Sequence, residues 1–271
     1  MIQEKYKKLQ DILREMETVV VAFSGGVDST FLLKAAVDTL GEANVLAVTA
    51  DSETYPTSEL KEALMLARWI GARHRVIETS ELSIPGYTEN DQNRCYFCKS
   101  SLFDQLIPIL NDYEFNNIIY GVIADDANEF RPGMKAAKEK GIRGPLQEAN
   151  LFKDEIRTLS KEAGLPTWDK PSFACLSSRI AYGEIITKEK LTKVDKSEAY
   201  LKSLGIRQVR VRTHKDVARI EVEPADMPRV LQYHEEITKR LKQFGYKYVS
   251  LDLSGYKSGS MNKALKKEEM V

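Results

Sequence analysis

The sequence predicts an α/β protein with a doubly wound, mostly parallel sheet, followed by a smaller C-terminal α+β domain. Two observations support this fold class. Short apolar runs alternate with segments of helical periodicity as far as residue 121, a pattern typical of parallel strands joined by helical crossovers. From about residue 180, a long helix, two alternating strands, a helix and a final strand follow. We therefore expect two domains, residues 1–180 and 181–271.

Each element follows from its own residue pattern. Apolar residues at helical spacing, or short β-branched and apolar runs, distinguish helices from strands. In the first domain we expect helices at 5–17, after Asp28, at 58–70 and around 100–110, and strands at 18–23, 44–49, 74–78 and 117–120. In the second we expect helices at 188–204 and 226–244, and strands at 208–213, 217–223 and 246–253.

Composition and charge disfavour several classes of protein. Forty basic and forty acidic side chains cancel, so the chain lacks the positive charge of a dedicated nucleic-acid binder. No window approaches the roughly 20 apolar residues that span a bilayer, and the N-terminus has no signal-peptide core, which predicts a cytoplasmic protein. Three cysteines argue against a disulfide framework and leave metal, cluster or nucleophile roles open.

The strongest chemical signal is a glycine-rich loop (residues 24–30) between the first strand and the first helix, Ser24-Gly25-Gly26-Val27-Asp28-Ser29-Thr30. Its two glycines allow close approach of a phosphate, and its amides and three hydroxyls are donors at a helix N-terminus. The loop lacks a Walker lysine, which disfavours P-loop kinases and GTPases. It suits the binding of a departing pyrophosphate. Asp28 either binds magnesium or caps the helix.

A second signal is the pair Cys95 and Cys98, with a third thiol at Cys175. The two-residue gap allows both thiolates to face one metal centre. Three thiolates suit zinc with a further His or carboxylate, or a 4Fe-4S cluster with one iron free for an external ligand. None of the three histidines has ligand-like spacing to a cysteine, which favours the cluster. A redox pair and a buried apolar Cys175 are the alternatives.

The glycine-rich loop resembles the PP-loop of the N-type ATP pyrophosphatases, which include GMP, NAD and asparagine synthetases and tRNA-thiolating enzymes. These enzymes transfer AMP to an oxygen and release pyrophosphate. The resemblance implies that Thr49 and Asp51 lie near adenine, and that Gly121 and Asp125 line the nucleotide cleft. Otherwise Asp51 simply ends a strand and Asp125 lies in a solvated turn.

The segment from Pro171 to Thr187, which surrounds Cys175, closely resembles the signature of the LarE family, the ATP-dependent sulfur transferases of nickel-pincer cofactor synthesis. The resemblance covers nearly the whole chain. In single-cysteine members, the residue matching Cys175 gives up its own sulfur. Cys95 and Cys98 make this chain similar to the three-cysteine branch instead, in which a 4Fe-4S cluster on the three cysteines carries an extra sulfide.

The resemblance also implies the reaction, the conversion of a carboxylate of pyridinium-3,5-dicarboxylate mononucleotide to a thiocarboxylate through an acyl adenylate, with ATP and Mg²⁺. In that reaction Cys175 is catalytic and Arg179 offsets negative charge near the phosphates. Ser177 either donates a hydrogen bond near the reacting sulfur or caps a turn. Arg212 either holds the substrate phosphate or is a strand arginine paired with Glu. Glu221 and Glu223 share one strand face and bind a cation or form salt bridges.

Three other functions compete with this one. The first is a tRNA thiolase with the same loop and cysteines, which the neutral charge disfavours. A nucleotide-binding iron-sulfur or zinc sensor would bind ATP without turnover, and an ammonia-dependent synthetase would not need the cysteines. For the sulfur transferase, the expected partners are a small nucleotide substrate, a sulfur donor and further copies of the chain, without nucleic acid or membrane.

Overall fold

The computed structural model describes residues 1–128, 131–257 and 259–261. These residues form two compact units, which we describe separately. The first contains residues 1–79 and 95–173, and the second contains residues 80–94 and the described residues after 173. The second unit therefore includes a segment from the middle of the first predicted domain. The predicted boundary after residue 180 stays a prediction. No helix within the described ranges is long and apolar enough to span a bilayer.

The first unit is built on a four-stranded, fully parallel sheet, which confirms the predicted fold class. Its strand order is β3-β2-β1-β4. The strands are β1 Val19–Ala22, β2 Val45–Asp51, β3 Arg73–Glu78 and β4 Asn117–Tyr120. The helices are α1 Ile2–Met16, α2 Val27–Leu40, α3 Thr57–Ile70, α4 Arg94–Asp112, α5 Pro132–Glu139, α6 Pro145–Glu148 and α7 Lys153–Glu162.

Apolar side chains cover both faces of the central strand β1. On one face, Val19 and Val21 of β1 pack with residues of α1, α2, α3 and α7. On the other face, Val20 packs with Phe103 and Leu106 of α4. A strand buried on both faces is expected to be a continuous apolar run, as β1 is. The carboxyl end of β1 is thereby fixed inside the core, and the glycine-rich loop follows it directly.

The second unit contains a three-stranded mixed sheet of order β5-β6-β7. Strand β5 Val209–His214 pairs antiparallel with β6 Val217–Val222, and β6 pairs parallel with β7 Tyr248–Leu251. Its helices are α8 Lys188–Ser203, α9 Met227–Gln232 and α10 His234–Gln243. Their apolar faces share one core with the sheet. Short 3₁₀ turns occur in the second unit at Glu81–Ser83, Leu176–Arg179 and Pro224–Asp226, and in the first unit at Glu42–Asn44 and Ala124–Asn128.

Two sequence expectations about helices need correction. The single helix predicted over 226–244 is two helices, α9 and α10, that meet at Tyr233. Its buried residues Val230, Ile237 and Leu241 keep helical spacing across the break, so the periodicity does not reveal it. The helix predicted near residue 100 begins at Arg94. Cys95 and Cys98 therefore lie on the first turns of α4.

Candidate active site

The glycine-rich loop folds around the side chain of Ser29. The Ser29 hydroxyl accepts a hydrogen bond from the Ser24 amide at 3.3 Å and donates one to the Gly26 carbonyl at 3.3 Å. Gly26 immediately precedes α2, so the loop ends where the first amides of a helix lack intrahelical partners. Thr30 lies further inside the helix and is buried. This arrangement can bind a phosphate group.

Gly121 lies against the same loop. A Cβ atom at Gly121 would lie 2.9 Å from the Ser29 amide nitrogen and 3.2 Å from the Asp28 carbonyl carbon. Only glycine permits this approach of the end of β4 to the first turn of α2. Gly25 adopts φ +64°, a conformation that side chains other than glycine disfavour. The structure thus brings Gly121 against the loop, and its predicted place in the nucleotide cleft stays a prediction.

Lys153, the first residue of α7, connects two predicted site carboxylates. Its Nζ lies 2.8 and 2.7 Å from the two carboxylate oxygens of Asp28. Its backbone amide donates to Asp125 at 2.8 Å. Asp28 supplies the oxygen ligands that Mg²⁺ prefers, and a lysine ammonium is suited to phosphate. Lys153 is not recognisable from the sequence, because only the fold brings it to the loop.

Thr49 and Asp51 lie at the carboxyl end of β2. The buried Thr49 hydroxyl donates to the Phe23 carbonyl at 2.8 Å and lies 2.8 Å from Nε2 of His74. A hydroxyl has one hydrogen, so Nε2 of His74 must donate in turn to Thr49. Burial lowers the pKa of His74. Thr49 therefore ties strands together, and an adenine contact by Thr49 or Asp51 stays a prediction.

Cys95 and Cys98 lie three residues apart on α4 and therefore on one side of the helix. Cys95 is exposed, Cys98 is half-buried, and none of the three cysteines forms a disulfide. Over residues 1–128, 131–257 and 259–261, no three His, Cys, Asp or Glu side chains are placed to bind one metal ion. Metal ligation by Cys95, Cys98 and Cys175 stays a prediction.

Cys175 lies in a tight turn of the second unit, which we call the Cys175 turn (residues 174–181). Its carbonyl oxygen accepts hydrogen bonds from the amide and the hydroxyl of Ser178, at 3.1 and 2.8 Å. The same oxygen accepts a third bond from Nη1 of Arg179 at 2.9 Å. Three donors on one carbonyl fix the backbone beside the thiol.

Arg179 is 1% exposed and forms a paired, buried contact with Glu198 on α8. Its Nε and Nη2 donate to the two carboxylate oxygens at 2.9 and 3.1 Å. Burial alone would lower the pKa of Arg179, but the Glu198 carboxylate raises it above its ordinary value. Arg179 therefore stays protonated beside the Cys175 carbonyl, with Glu198 as its counter-ion. A direct role of Arg179 at the phosphates stays a prediction.

Ser177 is held by the segment 80–94, which ends at the first residue of α4. The hydroxyl of Tyr87 donates to the Ser177 hydroxyl at 2.7 Å, and Nη1 of Arg94 donates to its carbonyl at 3.1 Å. The Asn90 amide group donates to the carbonyl oxygens of Ile180, Ala181 and Glu184. Ser177 therefore accepts a hydrogen bond within the protein, and its predicted donation toward the reacting sulfur stays a prediction.

Arg212 belongs to a buried ion pair on the smaller sheet. Its Nε donates to Glu221, which is 1% exposed, at 2.9 Å, and its Nη1 donates to the Ser178 carbonyl at 3.0 Å. Arg219 also pairs with Glu221, at 3.0 Å. Glu223 is exposed just beyond the end of β6. Phosphate binding by Arg212 stays a prediction, and Glu221 has salt-bridge partners.

A parallel sheet with a glycine-rich loop after its first strand, without a Walker lysine, defines a nucleotide-binding enzyme of the PP-loop ATP-pyrophosphatase class. The family model of NAD synthase matches residues 1–95. An uncharacterised protein of Synechocystis is 45% identical over 98% of this chain and its own full length. Pyridinium-3,5-bisthiocarboxylic acid mononucleotide synthase of Lactiplantibacillus plantarum is 40% identical over 96% of this chain and 94% of its own. The chain belongs to the LarE family of ATP-dependent sulfur transferases.

Proposed function

We propose that the protein activates a carboxylate of pyridinium-3,5-dicarboxylate mononucleotide with ATP and converts it to a thiocarboxylate. The observation that carries this proposal is the near full-length identity to a synthase of a bisthiocarboxylic mononucleotide. The glycine-rich loop and its neighbours supply the nucleotide site that such a reaction needs. Under this proposal the product is an intermediate in nickel-pincer cofactor synthesis.

The first half-reaction activates the carboxylate. A carboxylate oxygen attacks the α-phosphorus of ATP, pyrophosphate leaves, and an acyl adenylate forms. The amides of the glycine-rich loop bind the departing pyrophosphate, Asp28 binds Mg²⁺, and Lys153 turns from Asp28 to the phosphates. The loop amides, which are fixed before the reaction, stabilise the developing charge at little cost in reorganisation.

The second half-reaction transfers sulfur. A hydrosulfide attacks the acyl carbon, AMP leaves, and the thiocarboxylate forms with release of a proton. We assign Cys95, Cys98 and Cys175 as ligands of a 4Fe-4S cluster, which would supply a site for the incoming sulfide. The shared helix side of Cys95 and Cys98 supports ligation by that pair. The inclusion of Cys175 rests on the family.

The chemistry implies further partners. A separate donor must resupply sulfide after each turnover, because the reaction consumes one sulfur per carboxylate. A cytoplasmic location and a homo-oligomeric state complete the proposal, and both rest on the family. A tRNA thiolase is not favoured, because the full-length relative is named for a mononucleotide product and the chain carries no net positive charge.

Pyrophosphate release and thiocarboxylate formation test this proposal together. Anaerobically purified wild type, supplied with ATP, Mg²⁺, sulfide and the dicarboxylate mononucleotide, should release pyrophosphate only when the mononucleotide is present. The Cys175→Ala variant should retain pyrophosphate release and lose thiocarboxylate formation by at least about a thousandfold. A sensor protein would bind ATP and release no pyrophosphate. An amidating enzyme would keep its activity in Cys175→Ala.

The cluster is tested separately by iron and acid-labile sulfide analysis and by the absorption spectrum. We expect about four of each per wild-type chain, and loss of both in Cys95→Ala and Cys175→Ala. Zinc in place of iron, or a metal-free chain after strict anaerobic handling, contradicts the cluster. That result leaves adenylation intact and returns Cys175 to the role of sacrificial sulfur donor or structural thiol.

A further inference from the structure

Two side chains outside the glycine-rich loop donate hydrogen bonds to its backbone. The Tyr55 hydroxyl donates to the carbonyl oxygen of Ser24 at 2.7 Å. Nζ of Lys170 donates to the carbonyl oxygen of Gly25 at 3.0 Å. Tyr55 lies between β2 and α3, whereas Lys170 follows α7. Two distant segments of the first unit therefore hold successive carbonyls of one loop.

Holding these carbonyls sets the direction of the next two amides. In a planar trans peptide, the C=O bond and the following N–H bond point in opposite directions, and the described chain has no cis peptide. With the Ser24 carbonyl bound by Tyr55, the Gly25 amide points away from Tyr55. With the Gly25 carbonyl bound by Lys170, the Gly26 amide points away from Lys170. Successive amides directed to one side form an anion-binding nest.

Lys170 differs in its charge partners from Lys153. It is paired with two carboxylates of α3, Glu59 at 2.7 Å and Glu62 at 2.9 Å. Glu59 is buried, so moving the ammonium away would leave a buried charge without its cation, at substantial cost. Lys170 is therefore held in place behind the loop. Its role is to orient the loop backbone, whereas Lys153 binds the phosphates in the proposed reaction.

Tyr55 is held in a similar way. Its ring contacts Phe173 edge-to-face, with ring centroids 5.6 Å apart. Burial, and then the carboxylates Glu59, Glu62 and Asp51, raise the pKa of Tyr55. The hydroxyl consequently remains a donor to Ser24 throughout the pH range of enzyme assays.

We propose that Tyr55 and Lys170 are positioning residues that aim the amides of Gly25 and Gly26 at the pyrophosphate group of ATP. This inference rests on the proposed adenylation, because it assumes that the loop binds pyrophosphate. It adds two residues outside the loop motif to the nucleotide site. Neither residue touches the substrate in this scheme. Each acts through a carbonyl of the loop.

Calorimetric titration with Mg²⁺-pyrophosphate, ATP and AMP tests the inference. Tyr55→Phe and Lys170→Met should each bind pyrophosphate and ATP about tenfold more weakly, since one orienting hydrogen bond is lost. Their affinity for AMP should stay unchanged, because AMP lacks the pyrophosphate. Lys170→Arg, which can still donate to Gly25 and pair with Glu59, should recover most of the affinity. The matched controls are Lys34→Met, from a surface ion pair, and Tyr248→Phe, at an exposed tyrosine.

The possible results separate this inference from the proposed function. Variants that bind pyrophosphate as well as wild type overturn the positioning role and leave adenylation intact. A parallel loss of AMP affinity also overturns it, because general damage to the unit would then explain the result. A wild-type chain that binds neither ATP nor pyrophosphate overturns both. Thermal unfolding of each variant against its control shows whether the fold is retained.

Discussion

The glycine-rich loop and the Cys175 turn use their polar groups in opposite ways. In the loop, Tyr55 and Lys170 hold carbonyls and thereby direct the following amides toward a ligand. In the Cys175 turn, carbonyls are bound from within the unit, by Ser178, Arg179, Arg94 and Asn90. The glycine-rich loop directs its amide donors outward, whereas in the Cys175 turn the carbonyl acceptors are bound by groups of the same unit.

This difference matches the two tasks that we propose for the regions. An anion is bound by donors that have no other partner, so the loop has to leave amides available. A thiol that takes part in sulfur transfer has to remain within a narrow range of positions, so hydrogen bonds that fix its backbone are useful. The comparison predicts that damage to the turn costs stability, while damage to the loop costs nucleotide affinity.

The largest effect is expected on the free energy of unfolding, when Asn90, which holds the Cys175 turn, is replaced. Asn90→Asp keeps the size of the side chain and an acceptor for Arg94, but it replaces the donor to three carbonyls with a carboxylate oxygen. Asn90 is completely buried, so the free energy of unfolding should fall by about 3 kcal/mol. Urea unfolding followed by circular dichroism measures this loss.

Asn44→Asp is the matched control for that variant. Asn44 also donates its side-chain amide to a carbonyl, that of Leu40, but at an exposed position. Its replacement should change the free energy of unfolding by less than about 0.5 kcal/mol. Equal losses in Asn90→Asp and Asn44→Asp would show that the contacts of Asn90 do not hold the turn.

A smaller effect is expected at Gly121, behind the glycine-rich loop. In Gly121→Ala the new Cβ meets backbone atoms of α2 at 2.9 to 3.2 Å, and backbone cannot rotate away. The first turn of α2 must shift, which we expect to weaken ATP binding by about 2 kcal/mol, or roughly thirtyfold. Titration of ATP into the variant measures the change.

Gly41→Ala is the matched control for Gly121→Ala. It replaces a glycine at a position where the new Cβ meets no other atom. No atom lies within 4 Å of a Cβ built at Gly41, although its φ of +81° makes alanine strained. This control should lower the thermal midpoint and leave ATP affinity unchanged. If Gly121→Ala binds ATP as tightly as wild type, the close approach of β4 to the loop has no part in the nucleotide site.

The smallest effect concerns His74, which donates to Thr49 behind the loop. Because folding lowers the pKa of His74, the unfolded chain takes up a proton first as the pH falls below about 6.5, and stability decreases. His74→Gln keeps a donor and removes the titration. Between about pH 7.5 and pH 5.5, its stability should decrease less than that of wild type, by up to about 1 kcal/mol. Urea unfolding at both pH values measures the two losses. An equal loss of stability in wild type and His74→Gln would contradict this assignment.

Local patterns were sufficient for the sheet and the loop. The runs that form β1 and β4 are short and apolar because these strands are buried, and the predicted limits of β4 agree with the structure. The glycine-rich loop was recognisable because its glycines and hydroxyls occur at a strand-to-helix junction. Gly25 carries this signal in its residue type, since its φ of +64° disfavours a side chain. Gly121 was indicated only by the family resemblance.

Contacts between distant residues were not predictable in the same way. Lysine and tyrosine are common residue types. Nothing in the sequence around Lys153, Lys170 or Tyr55 distinguishes these three from surface residues. They become notable only when the fold places Lys153 beside Asp28 and the other two beside the loop carbonyls. Likewise, Asn90 lies 91 residues from Ala181, a separation at which periodicity carries no information.

The path of the chain between the two units has a consequence for synthesis on the ribosome. The chain enters the second unit after Thr79, leaves it after Arg94, and enters it again after Phe173. The segment 80–94 therefore emerges about 90 residues before the carbonyls that Asn90 binds, a delay of roughly 5 to 20 seconds at ordinary translation rates. A nascent chain that ends at residue 173 contains all of the first unit, yet its segment 80–94 still awaits the residues against which it folds.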